Sequence, residues 1–207
     1  MTLLTPAVGA GLVRCARALC LIGAAALTGC MSMYVDGSTK EVTAASFKKP
    51  ADAQPVQVVF EFQTKGAPNG AATQMLKAQV IEQVKASGLF SQVAEVPVSG
   101  GALLSVTLNN VPLSDDAFTK GFVTGFTFGL VGSQVSDGYV CTAKYLPVGV
   151  AQPITKSARH AIHATMGTGA APQNAVKADN AEVAVRTMTR QVVSNVLNDL
   201  SQDASFK

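Results

Sequence analysis

Two runs of strict alternation, with a run of helical spacing between them, constrain this chain most. In VQVVFEF, Val56, Val58, Phe60 and Phe62 alternate with Gln57, Val59 and Glu61. A period of two puts one set of side chains on one face, the pattern of a half-buried strand. In ALLSVTLNNV, Leu104, Val106 and Leu108 alternate with Leu103, Ser105 and Thr107. Between these runs, AATQMLKAQVIEQVKASG carries Leu76, Val80 and Val84 at steps of four with Ile81 beside them, and Gly88 stands where a helix would end. Gly66, Pro68, Asn69 and Gly70 supply the turn that precedes it.

Further on, YVCTAKYL (residues 139–146), closed by Pro147 and Gly149, and the less regular ITKSARHAIHATM (154–166) predict two more strands. The last element begins at DNAEVAVRTMTRQVVSNVLNDL, where Val185, Met188, Val192 and Val196 keep helical spacing. There, Asp179 followed three residues later by Glu182 resembles a capping box. The expected fold is α+β in two layers. A mixed sheet of about four strands carries two helices on one face, with a Gly/Phe-rich insertion between strands two and three.

The N-terminus is of another kind. Residues 1–29 contain Arg14 and Arg17 and no acidic residue, and ALCLIGAAA (18–26) is apolar. A basic flank, a short apolar run and small residues before a break read as a secretory signal peptide. The run is too short to span a bilayer, which takes about 20 apolar residues. The uncharged start MTLLTPAVGAGLV fits translation that begins nearer Val13.

The apolar run ends in Leu27-Thr28-Gly29-Cys30, which resembles the lipobox of bacterial lipoproteins. The resemblance implies cleavage before Cys30, a diacylglycerol on its thiol and an acyl chain on the new amine, palmitate being typical. Each buried CH₂ contributes about 0.8 kcal/mol, so two or three chains anchor stably where one does not. Met31 and Ser32, rather than Asp, follow the cysteine. By the family's sorting rule this implies the outer membrane, facing the periplasm. The expected organisation is therefore signal peptide 1–29, lipidated Cys30 with a flexible tether to residue 54, and one periplasmic domain over 55–207. Residues 31–54 show no sustained period and mix Gly, Pro, Ser, Thr and charge.

Removal of residues 1–29 leaves 14 basic and 13 acidic residues. That balance excludes the clustered basic surface that nucleic acid requires. Cys141 is then the one thiol besides Cys30, and it lies in the apolar YVCTAKYL. It reads as a buried small hydrophobe.

The phrase LKAQVIEQVKASGLFSQVAEV, with Gly88, Leu89, Phe90 and Val93 at the helix-to-strand corner, resembles a group of periplasmic α/β domains. These are the N-terminal domain of the Tol-system propeller protein, curli-secretion-type lipoproteins, penicillin-binding-protein activators and auxiliary lipoproteins of ABC-type lipid transport. The resemblance covers roughly residues 55–110 and the closing helix. It implies a protein that binds an envelope partner and does not catalyse.

In TKGFVTGFTFGLVGSQVSDGY, Gly121, Gly125 and Gly129 stand four apart among Phe122, Phe126, Phe128 and Leu130, with no charge from 121 to 136. Small residues at that spacing let membrane helices approach closely, but the stretch is short for a span and each Gly costs a helix about 1 kcal/mol. Three readings stay open: a segment in the domain's own core, an exposed flap that docks on a partner or the membrane, or a span. Phe122, Phe126, Phe128 and Leu130 are the candidate contacts of the flap. Self-assembly into a homo-oligomer through the Gly-rich segment is the alternative to a separate envelope partner.

Chemistry is sparse. His160 and His163 would fall on opposite faces of a strand. Neither has the Cys or carboxylate company that zinc needs, so both read as solvated or partly packed. Asp115 and Asp116 near Lys120 read as a turn or helix cap. No nucleophile elbow or phosphate loop is present. The expectation is a protein with no catalytic residues, metal or cofactor.

Overall fold

In a computed structural model, residues 31–112, 134–167 and 170–207 are described. The chain divides into two units, Met1–Met31 and Ser32–Lys207, and the second carries the fold. Its strands are β1 (Met31–Asp36), β2 (Pro55–Thr64), β3 (Ala67–Pro68), β4 (Gln92–Ala94), β5 (Ala102–Pro112), β6 (Gln134–Leu146), β7 (Ile154–Met166) and β8 (Ala175–Ala178). The helices are α1 (Gly70–Ser87) and α2 (Ala181–Ser201).

The strands form one eight-stranded mixed sheet in the order β3-β2-β5-β6-β7-β1-β8, with β4 also paired to β2. The expected sheet of four strands is therefore corrected to eight. The four foreseen strands are its long members. The others span six, two, three and four residues, too short to show a period. Such strands are stabilised by their neighbours in the sheet rather than by their own pattern.

α1 crosses from β2 to β5, which pair in parallel from Val56↔Ala102 to Thr64↔Asn110, as a connection through a helix allows. The Asn69 side chain caps α1 by accepting from the Ala72 amide at 3.1 Å. Gly88, at φ 63°, ends the helix in the left-handed region, where a side chain would be strained. α2 is capped by Asn180, which accepts from the Val183 amide at 2.9 Å. The expected Asp179–Glu182 box is displaced by one residue, and Glu182 instead meets Arg186 at 2.8 Å.

The core lies between one face of the sheet and both helices. Val56, Val58, Phe60, Leu104, Val106, Leu108, Cys141 and Tyr145 face Leu76, Val80, Val84, Met188, Val192, Val196 and Leu200, all buried. The opposite face carries Glu61, Gln63, Thr107, Asn109, Thr142 and Ser157, none of them buried.

Residues 31–54, expected to be a tether, belong to the domain. Their first six residues are β1, between β7 and β8 in the sheet. Beyond it, Val42 packs against the core and Phe47 joins it, 7% exposed. The Val42 amide donates to Ser194 Oγ (2.9 Å) and the Lys48 amide to Ser201 Oγ (3.2 Å). Apolar side chains at irregular intervals, with α2 hydroxyls for the backbone, fasten this segment without a repeat that a sequence pattern could show.

Candidate functional site

The densest polar arrangement among the described residues lies where β1, β6 and β7 meet. Ser136 Oγ is 2.7 Å from His163 Nδ1, and His163 Nε2 is 3.2 Å from Asp36 Oδ2. Asp36 Oδ1 accepts from the Ser38 amide at 2.8 Å and also meets the Ser38 hydroxyl. The Asp-Gly-Ser turn at the end of β1 makes this possible, because an Asp side chain readily captures an amide two residues on. Gly37 is required there: a Cβ at this position would overlap the Asn174 carbonyl.

Burial alone would raise the Asp36 carboxyl. Hydrogen bonds from His163 and Ser38 outweigh it and hold the group below its ordinary value. An ionised Asp36 accepts a hydrogen bond from His163 Nε2–H, and in that tautomer Nδ1 accepts the Ser136 hydroxyl hydrogen. Hydroxyl, imidazole and carboxylate thus stand in a row, with the two ring nitrogens exchanged relative to a Ser-His-Asp triad, in which Ser faces Nε2 and Asp faces Nδ1. However, His163 is 2% exposed and Asp36 4%, so the row is under cover.

His160 occupies the other face. Its Nδ1 accepts from the Ala161 amide at 2.8 Å, so Nε2 carries the proton and donates to Gln191 Oε1 on α2 at 2.7 Å. Burial lowers its pKa below the ordinary histidine value, against the opposing effect of Gln191. The expectation of solvated or partly packed histidines is corrected, since both rings are buried. They do lie on opposite faces, one toward α2 and one toward Asp36. Cys141 is fully buried and its thiol is pushed up to about 12 by burial, which makes it unreactive.

A pocket of about 540 Å³ opens beside this region, between the β1–β8 pair and α2. Val35, Asp36, Lys40, Val176, Lys177 and Gln191 are among its lining residues. It reaches Asp36 but is not lined by Ser136 or His163. Among the described residues no group of three His, Cys, Asp or Glu could hold a metal, and no helix is long and apolar enough to cross a membrane.

The sequence-derived site residues Leu27, Thr28, Gly29 and Cys30 lie outside the described residues. So do Phe122, Phe126, Phe128 and Leu130, and Asp115, Asp116 and Lys120. Sequence reasoning missed Asp36, Ser136 and Gln191. Asp36 and His163 are 127 residues apart in the chain, and no local spacing joins them. Only the Asp-Gly-Ser turn was a visible signal.

No protein-family model matches the chain, and no curated protein matches it. Among solved structures, it is similar to the PelC dodecamer from Paraburkholderia phytofirmans, at 11% identity over 85% of this chain and 99% of that one, with a TM-score of 0.36. It is also similar to a minor lipoprotein from Acinetobacter baumannii, at 15% identity over 74% of this chain and 91% of that one, with a TM-score of 0.33. At such scores the role has to be argued from the chain's own residues.

Proposed function

We propose that this chain is a lipid-anchored lipoprotein of the bacterial envelope, held at the periplasmic face of the outer membrane, and that its domain is a non-catalytic accessory module for another envelope component. The observation that carries the reading is Leu27-Thr28-Gly29-Cys30 after a basic and apolar leader. A leader of that kind delivers a thiol to the membrane, and the acyl chains then do the anchoring.

The non-catalytic part is supported by where the chemistry sits. The Ser136–His163–Asp36 row ties β1 to β6 and β7, and its ring is enclosed. A reacting group would need a place about 3 Å from the nucleophile, and among the described residues the pocket beside the row is lined by Asp36 and not by Ser136. Asp36 and Gln191 at the pocket wall are both already engaged by histidines. Val183 and Lys40, which also line the pocket, offer an apolar wall and a positive charge to a partner.

Metabolic labelling with palmitate in the native host tests the anchor. Wild type is expected to take up label and sediment with membranes, and the Cys30→Ala chain to do neither. A Cys30→Ala chain that labels as wild type does would sink the reading. In-cell crosslinking from Lys40 would then identify the partner. Capture of this chain alone would replace an accessory module with a homo-oligomer.

A further inference from the structure

The anchor reading places lipid at Cys30, and β1 starts at the next residue. One peptide unit of about 3.8 Å therefore separates the Cα of the lipid-bearing cysteine from the first residue of the strand. With no spacer, the end of the sheet where β1 starts must lie near the bilayer.

The registers identify what else is at that end. Asp36 meets His163 and the Thr39 hydroxyl meets the Arg159 carbonyl, so β1 and β7 run in opposite directions and β1 starts beside the end of β7. Gln134 and Val135, which open β6, pair with Thr165 and Ala164. β8 pairs Ala178 with Met33, which brings the end of β8 to the same place.

One face of this end is apolar and open. Tyr139 is in the helix-side core, and steps of two from it reach Asp137 and then Val135. From Ile162, also in that core, the same steps reach Ala164 and Met166. Val135 and Met166 are each 55% exposed, and Val176, opposite Val35, is 68% exposed. Asp137, half-buried, is the acid nearest on this face; no Lys, Arg, Asp or Glu occurs in 31–35, 134–136 or 160–167, while Lys177 stands exposed beside Val176.

We propose that this end of the sheet is a membrane-contacting surface, with Val135 and Met166 seated in the interface of the bilayer that holds Cys30. The proposal rests on the anchor reading and adds an orientation to it. A bilayer is the occupant because the chain's own lipid is attached there. Charge-free apolar side chains gain from the acyl boundary, and a lysine at the rim suits anionic headgroups. The opposite end of the sheet points into the periplasm. β6 and β7 are 13 residues long, so at ~3.3 Å per residue that end stands about 40 Å away.

The chain has no tryptophan, so an introduced one reports alone. Val135→Trp and Met166→Trp sample the proposed surface. Val150→Trp is the control, since Val150 is 49% exposed in the connection that leaves the far end of β6. Each full-length acylated chain is reconstituted into phosphatidylethanolamine–phosphatidylglycerol vesicles containing lipid brominated on the acyl chain. The V135W and M166W proteins are expected to show a blue shift and lose most of their emission, and V150W to keep its own. Vesicle flotation separates the two ideas. Wild type that does not float overturns the anchor and this surface with it. A chain that floats with V135W and M166W unquenched, or with V150W quenched as strongly, overturns the surface alone.

Discussion

The two ends of the long strands are finished differently. Where β6 ends and β7 begins, the chain closes on itself. Phe90, Tyr145 and Phe206 form a cluster with ring centroids 5.0–5.9 Å apart, and Lys156 meets Asp203 at 2.7 Å beside it. Where β6 begins and β7 ends, no aromatic cluster closes the face among the described residues, and Val135 and Met166 are each 55% exposed. Val148 and Val150 are also exposed at the closed end, but they belong to a short turn, and single exposed valines are ordinary. The end where β6 begins differs because its exposed apolar side chains, Val135 and Met166, lie on neighbouring strands of one face.

Breaking the closed end should have the largest effect. Phe206 is 7% exposed and touches both other rings of the cluster. Phe206→Ala is expected to cost about 3–5 kcal/mol, as truncation of a buried Phe does. Denaturant melts would show it as a lower midpoint at an unchanged slope, with palmitate labelling untouched. A loss below ~1 kcal/mol would mean that the terminal residues only lean on the domain.

Near the open end the same experiment should give less. Ser136→Ala removes one hydrogen bond to His163, and a bond of this kind is worth about 1 kcal/mol. The expected result is a small fall in stability and unaltered assembly and anchoring in cells. If the variant keeps its stability and anchor but the cellular function is lost, Ser136 is a nucleophile, and the non-catalytic reading fails.

The contrast between the ends also marks what the sequence made legible. The four long strands and both helices follow from period: Val56–Phe62 and Leu104–Leu108 alternate, while Leu76–Val84 and Met188–Val196 step by four. β1 and β8 were illegible because MSMYVD and AVKA contain too few residues to show a period. They form because each lies against the other and β1 against β7. The site was less legible still. His163 was visible as a residue, but its partners Asp36 and Ser136 come from strands far apart in the chain. Burial of both rings depends on β1 and α2 packing against β7, which no window of sequence contains. A segment read as a tether thus supplies the carboxylate of the site.

The smallest predicted effect is on pH, and it separates His160 from Asp36 by the groups they face. His160 faces Gln191 and stays neutral in the fold because burial lowers its pKa from 6.5. As pH falls below about 6.5 the unfolded chain takes up a proton that the folded ring refuses, so stability declines with acid. From about pH 7 to pH 6 a ring that remained neutral would cost under about 1 kcal/mol by that linkage. Asp36 acts in a lower window. Its folded value lies below 3.8, so its contribution is complete above that pH and is lost as pH falls from there through the folded value. His160→Gln, which removes the titration but keeps a polar group against Gln191, should flatten the decline between pH 7 and 6 and leave the lower one in place. Urea midpoints measured across that range decide it. A variant that declines as steeply as wild type would place the acid sensitivity on another group.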